Sequence, residues 1–281
     1  MNRKILALLW LAMVISGCTK YTDEQYFTAI RNGDARTVQA IISQRDMTNI
    51  KDGNAYEFDK ATFKTRIVPI NQMPSKDAFG NGFSGLWIAV EDNKPEIVEI
   101  LLQQNFDLAE EHKVDDTTLT LGEIVGAENS CNPSIIKIFA QKGVAFNNVG
   151  LKNGSPVIVT AASAGKWDCV DALIEAGADP KAADSRGMGL LTQAVFQYEK
   201  INIDNLIQKM KDFDPFSFDA NLAFIHAARS GNAGLVKNFL NRGFNKCHSH
   251  KGKYLRDIAL EENHVTTAEL LPTKEQCEKI K

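Results

Sequence analysis

Residues 153–180, NGSPVIVTAASAGKWDCVDALIEAGADP, encode two short helices with their turns, and the unit returns along the chain every 32 to 34 residues. Ser155 is expected as the N-cap of the first helix, with Pro156 at its first turn, where a missing N–H costs nothing. Gly165 ends that helix. In the second, Val170, Leu173 and Ile174 are spaced i, i+3, i+4 and so share one face, and Gly177 supplies the left-handed stop. With Val170 as marker, equivalent positions fall at Ile136, Val170, Ile203, Val236 and Ala268, in steps of 34, 33, 33 and 32. A helix pair this small cannot bury its apolar face alone, so such units stack on their neighbours.

The wording of the repeats agrees with their spacing. GFSGLWIAVEDNKPEIVEILLQQNFD (82–107), FIHAARSGNAGLVKNFLNRGFN (224–245) and GKYLRDIALEENH (252–264) resemble the ankyrin consensus. Ala89-Val90, Ala161-Ala162 and Ala227-Ala228 are pairs that let a first helix pack tightly on a second. By this resemblance the chain is an all-α ankyrin-repeat solenoid from about residue 23 to 281, with an N-terminal cap and about six repeats. After the first full repeat these fall at about 117–148, 152–182, 186–214, 218–249 and 252–277. Trp87 stands where such repeats usually carry a histidine.

The first 17 residues read as a leader outside the fold. Arg3 and Lys4 form a charged start, Ile5 to Ile15 an apolar run of 11 residues, and Ser16-Gly17 a cleavage site of small residues. Eleven residues are too few to span a bilayer, which takes about 20. Ile15-Ser16-Gly17-Cys18 resembles the bacterial lipoprotein signal, which implies acylation of Cys18, a tether over 18–22 and a lipid anchor on the periplasmic side. Thr19 after that cysteine implies the outer membrane. Of the chain's 32 basic side chains, removal of Arg3 and Lys4 leaves 30 against 35 acidic ones, a mature net charge of −5. No basic stretch suggests nucleic acid, so none is expected as partner.

Between the cap (Phe27, Ala29, Ile30, then Gly33, then Val38, Ile41, Ile42) and the first full repeat lies an insertion over about 45–81. Loops longer than about 15 residues are uncommon in compact domains and often functional. It reads either as a hairpin or flap packed on the cap or as a recognition loop. Tyr56, Phe58 and Arg66 are its candidate partner-binding residues. The fourth unit departs furthest from the pattern: Tyr198 replaces the turn glycine, Met210 the stop, and Phe213, Phe216 and Phe218 crowd the next turn. Phe213 and Phe216 are candidate contacts, although such a cluster also fills irregular junctions. Arg256, where other units have Ile158, Leu191 or Phe224, suits a C-terminal cap facing water.

Signs of catalysis are few. Gly82-Phe83-Ser84-Gly85 lacks a residue of the nucleophile elbow, and Ser84 fits a helix cap. Neither a phosphate-binding glycine loop nor a His-Glu-x-x-His pair is present, so no enzyme, cofactor or metal is expected. Cys247 with His248, His250 and Cys277 is an alternative zinc set. The register instead places Cys277 one position from the equivalent of Cys247, predicting a disulfide between them; Cys131 and Cys169 lie off register and are expected as free thiols. His226 and His264 read as polar members of the pattern.

The resemblance implies a non-enzymatic protein-binding lipoprotein. It is closest in kind to ankyrin-type immunity lipoproteins that neutralise phospholipase effectors of type VI secretion. The alternative is a periplasmic scaffold for an endogenous or stress-response protein.

Overall fold

The computed structural model describes residues 21, 23–43, 54–59, 64–69, 85–104, 108, 111–114, 117–125, 131–146, 155–197 and 201–280. The expected leader, Cys18, Ser84 and Tyr198 lie outside the described residues. The chain is mostly helical and divides into two compact units, residues 1–106 and 107–281. No helix among the described residues is long and apolar enough to cross a membrane.

In the first unit, α1 (Asp23–Asn32) and α2 (Ala35–Ile42) form an antiparallel pair. Asp34 caps α2 by accepting the Thr37 N–H at 3.1 Å and the Thr37 hydroxyl at 2.6 Å. These bonds hold the exposed Asp34 carboxyl below its ordinary range. α3 (Gly85–Glu91) packs on α1, and α4 (Pro95–Leu101) on α2. The interface of α1 with α3 explains a glycine: a Cβ at Gly85 would lie 2.1 Å from the Tyr26 hydroxyl, so only a bare backbone permits this approach. Tyr26, Ile30, Val38, Ile41, Trp87 and Val98 are fully buried around that contact. Within the expected insertion, β1 (Asn54–Asp59) and β2 (Lys64–Pro69) pair antiparallel as a hairpin.

The second unit opens with a hairpin of β3 (Glu111–Val114) and β4 (Thr117–Thr120), followed by α5 (Leu121–Val125). Thr120 and Glu123 form a capping box there, with the Thr120 N–H donating to the Glu123 carboxylate at 2.6 Å and the Glu123 N–H to the Thr120 hydroxyl at 3.3 Å. Helices then come in pairs: α6 (Pro133–Gln141) after α5, α7 (Val157–Ser163) with α8 (Trp167–Glu175), and α9 (Leu190–Phe196) with α10 (Ile203–Lys209). Next are α11 (Phe218–Arg229) with α12 (Ala233–Asn241), a short hairpin of β5 (Ser249–His250) and β6 (Lys253–Tyr254), α13 (Leu255–Glu261) with α14 (Val265–Glu269), and α15 (Lys274–Glu278).

Successive first helices α7, α9, α11 and α13 pack side by side. Ala161, Ala194, Ala227 and Ala259 recur on them and are each fully buried, so small side chains set the close spacing. Ile136, Val170, Val236 and Ala268 are fully buried on the second helices, and Ile203 nearly so. On the outer side of those helices Lys137–Glu175, Asp171–Lys209 and Asp204–Arg242 form ion pairs between consecutive pairs, each 38 residues apart in sequence. Exposed pairs of this kind contribute about 0–1 kcal/mol each, so the ladder marks register more than it supplies stability.

Two local expectations require correction. Pro156, not Ser155, is the N-cap of α7, and its carbonyl accepts the Val159 and Thr160 N–H groups at 3.0 Å. Arg256 does not face water: its guanidinium donates to the carbonyls of Ala268 and Leu271, at 2.5 and 3.1 Å, and so satisfies the end of α14. The Leu271 N–H also donates to the Ala268 carbonyl, at 3.1 Å, and the planar cation adds a second donor there and one to the Leu271 carbonyl, where the helix has ended.

Candidate protein-binding surface

Ser217 starts α11 by accepting the Ala220 N–H at 3.2 Å. In the preceding turn Asp214 accepts the Phe216 N–H at 2.8 Å, and the Asn221 amide donates to the Phe216 carbonyl at 2.9 Å. Both bonds fix the backbone of a residue whose ring is 60% exposed. Asp219, the second residue of α11, reaches back to α9. Its carboxylate accepts the N–H groups of Gly189, Leu191 and Thr192 at 2.8, 3.0 and 3.1 Å, together with the Thr192 hydroxyl at 2.5 Å. Gly189, the N-cap of α9, has no side chain to do this, so the cap comes from the next unit and locks α9 to α11.

That lock positions an aromatic face. Phe218, Leu222 and His226 stand at i, i+4 and i+8 on α11, a stripe about 12 Å long. Phe218 is 64% exposed, and its ring lies against Gly187 in the turn before α9. Gly187 has φ +78°, and a Cβ there would come within 2.3 Å of the ring, so both backbone and contact demand glycine. Asp184 holds the same turn, accepting the Arg186 and Met188 N–H groups at 2.9 Å. Burial pushes the Asp184 carboxyl up, but those bonds and Arg186 outweigh it and hold its pKa down. Alongside the stripe, Phe196 at the end of α9 is 53% exposed and meets His226 edge to face with ring centroids 4.6 Å apart. Phe196 and Phe218, at the two ends of the stripe, and Phe216 in the turn before it each stay more than half exposed.

The electrostatics of this face are one-sided. Burial, then Arg229, then His250, hold the His226 imidazole below its ordinary value. Burial and then His250 do the same to His248. The permanent charge acting on His226 is therefore cationic, and its source, Arg229 at the end of α11, is exposed.

The residues singled out from the sequence are dispersed. Tyr56, Phe58 and Arg66 lie in the β1–β2 hairpin of the first unit, at register positions opposite Ile67, Thr65 and Glu57. Phe213 and Phe216 part company. Phe213 packs on Phe244 at 5.5 Å, and Phe244 stacks on Phe239 at 4.3 Å, so Phe213 belongs to an aromatic cluster while Phe216 stays open. Cys247 and Cys277 are disulfide-bonded with Cα atoms 5.3 Å apart, which commits both sulfurs of the alternative zinc set. Among the described residues no group of three or more His, Cys, Asp or Glu side chains is placed to hold a metal.

Cys131 and Cys169, expected as free thiols, are also disulfide-bonded, with Cα atoms 6.2 Å apart. The register argument failed because Cys131 sits in the extended segment just before α6, while Cys169 lies in the first turn of α8, which packs on α6. Sequence reasoning also passed over Phe196 and Leu222. A signal was present: Ser163, Arg229 and Glu261 occupy the position equivalent to Phe196, so the phenylalanine stands out. In comparisons with known proteins, no family model and no curated protein matches the chain.

Proposed function

We propose that the chain is an ankyrin-repeat solenoid that acts by capturing another protein. Its best-supported role is a lipid-anchored immunity protein of the periplasm that neutralises a phospholipase effector. Helix pairs at a spacing of 32 to 34 residues, left-handed turn residues between paired helices at Gly33, Asn93, Gly165, Gly231 and Asn263, and the buried alanines of the first helices support the repeat reading. The observation that carries the binding reading is the aromatic face of α9 and α11, where Phe196 and Phe218 stay more than half exposed although Asp219 holds both helices in register. A core-filling role would bury those rings. Exposed aromatics on a rigid frame bind with little ordering cost.

The anchor follows from the resemblance at Cys18, and stable attachment requires at least two acyl signals. An inhibitor of a catalytic toxin must bind tightly, since a small free fraction continues to act; nanomolar affinity corresponds to about −12 kcal/mol. Deletion of the gene is expected to sensitise cells to siblings that deliver the effector, and restoring it to rescue them. A Cys18→Ala copy should protect less and leave the membrane fraction. Survival of the deletion strain at the wild-type level would end the immunity reading, and the periplasmic scaffold reading would take its place.

A further inference from the structure

The face formed by Phe196, Phe218, Leu222 and His226 has a charge pattern as well as a shape. We infer that it docks an acidic protein segment, one that presents carboxylates beside an aromatic or aliphatic anchor, and that docking is accompanied by proton uptake at His226. The inference rests on the protein-capture reading above and names the chemistry of the surface that would be captured.

Shape comes first. The Phe218–Leu222–His226 stripe runs along one side of α11 with Phe196 against His226 at its far end, so an apolar anchor laid along the stripe meets hydrocarbon from α11 and from Phe196. Charge decides the rest. α9 contributes no ionisable side chain. On α11, Asp219 is spent on the N–H groups of α9, leaving Arg229 and His226. On α13, Arg256 is bound to carbonyls, Asp257 accepts the Tyr254 N–H at 3.0 Å, and Glu261 pairs with Lys253 at 2.5 Å. On α12, Arg242 pairs with Asp204 at 2.8 Å, and Lys237 is exposed. The β5–β6 hairpin adds His250 and Lys253. Among the described residues the cation left without an ionic partner on this stripe is Arg229, one turn beyond His226.

In the free protein burial and then the Arg229 cation disfavour the imidazolium of His226. A carboxylate from a partner that pairs with Arg229 offsets that charge and, set beside the ring, favours the imidazolium. The bound state then holds more protons than the free state, so affinity rises as pH falls through the histidine range. A basic segment would meet the like charge of Arg229 instead.

The test uses the full chain and three probes: a dansyl-labelled peptide of glutamates flanking a phenylalanine–leucine pair, its lysine-for-glutamate counterpart, and phosphatidylglycerol vesicles. The acidic peptide is expected to bind saturably, and about threefold or more tighter near pH ~5.5 than near pH ~7.5. Phe196→Ser, which copies Ser163 of the sister unit, and Arg229→Glu are each expected to weaken it about tenfold with unchanged Tm. His226→Gln should flatten the pH dependence. Equal binding of the lysine peptide, a pH-independent Kd, or binding to vesicles but not to peptide would each overturn the inference. The two readings fail separately: loss of peptide binding leaves the deletion phenotype standing, and a silent deletion strain leaves the peptide chemistry standing.

Discussion

Asp219 shows how much one side chain can organise. Its carboxylate is the only acceptor, among the described residues, shown for the N–H groups of Gly189, Leu191 and Thr192, and hydrogen bonds to a charged group are roughly twice as strong as neutral ones. Asp219→Ala is therefore expected to cost about 2–3 kcal/mol in urea unfolding, and Asp219→Asn about half of that, since an amide keeps one acceptor. A loss below about 0.5 kcal/mol for the alanine variant would show that water replaces the carboxylate freely. None of this was legible locally, because a helix cap is normally sought within a few residues and this one lies 27 to 30 residues away. Arg256 was misread for a similar reason. Its position in the repeat marked it as unusual, but the carbonyls it satisfies belong to α14 and to the segment after it.

At the scale of elements, periodicity was a reliable guide and chemistry between elements was not. The markers Ile136, Val170, Ile203, Val236 and Ala268 all lie in the core, because an i, i+3, i+4 pattern depends only on local geometry. The cysteines needed more. Register brought Cys277 near Cys247, whereas Cys131 enters α6 from an extended segment that no repeat pattern describes. The bond between Cys247 and Cys277 ties α15 to the turn after α12 across 30 residues, and loop-closure entropy puts its contribution at about 3.5 kcal/mol. Cys247→Ser is expected to lower stability by roughly that amount and to raise hydrogen exchange first in α15, whose five residues have little helix stability of their own. Unchanged protection of α15 in the serine variant would mean that packing of Leu271 and the buried Cys277 side chain holds it without the bond.

Across the whole molecule, acids raised by burial and groups lowered by their surroundings give opposite responses to pH, and above pH ~4.5 the raised acids dominate in the first unit. In the first unit, burial and then Asp92 push the Glu91 carboxyl up to about 7, against Arg31, and burial also raises Asp92. An acid whose folded pKa exceeds its ordinary value of 4.5 binds protons more tightly when folded, so its contribution is intact below 4.5 and is lost as pH rises toward about 7. The second unit runs the other way. Asp204 is held low by Asn238 and, against burial, by Arg242; Glu275 is held low by hydrogen bonds at the start of α15. Depressed carboxylates give stability that is present above their ordinary values and lost as pH falls through the folded ones. His226 and His248, lowered from 6.5, add to this: the unfolded chain takes up protons first, so acidification below 6.5 favours unfolding of that unit. Scanning calorimetry between pH ~4.5 and ~7.5 is accordingly expected to show two transitions whose separation changes with pH, the first unit gaining and the second losing stability on acidification. Glu91→Gln should flatten the first response over 4.5 to 7 while leaving the second unchanged, which assigns the slope to one side chain. Transitions that move together on acidification, or a glutamine variant with the wild-type slope, would show that Glu91 does not set the pH response of its unit.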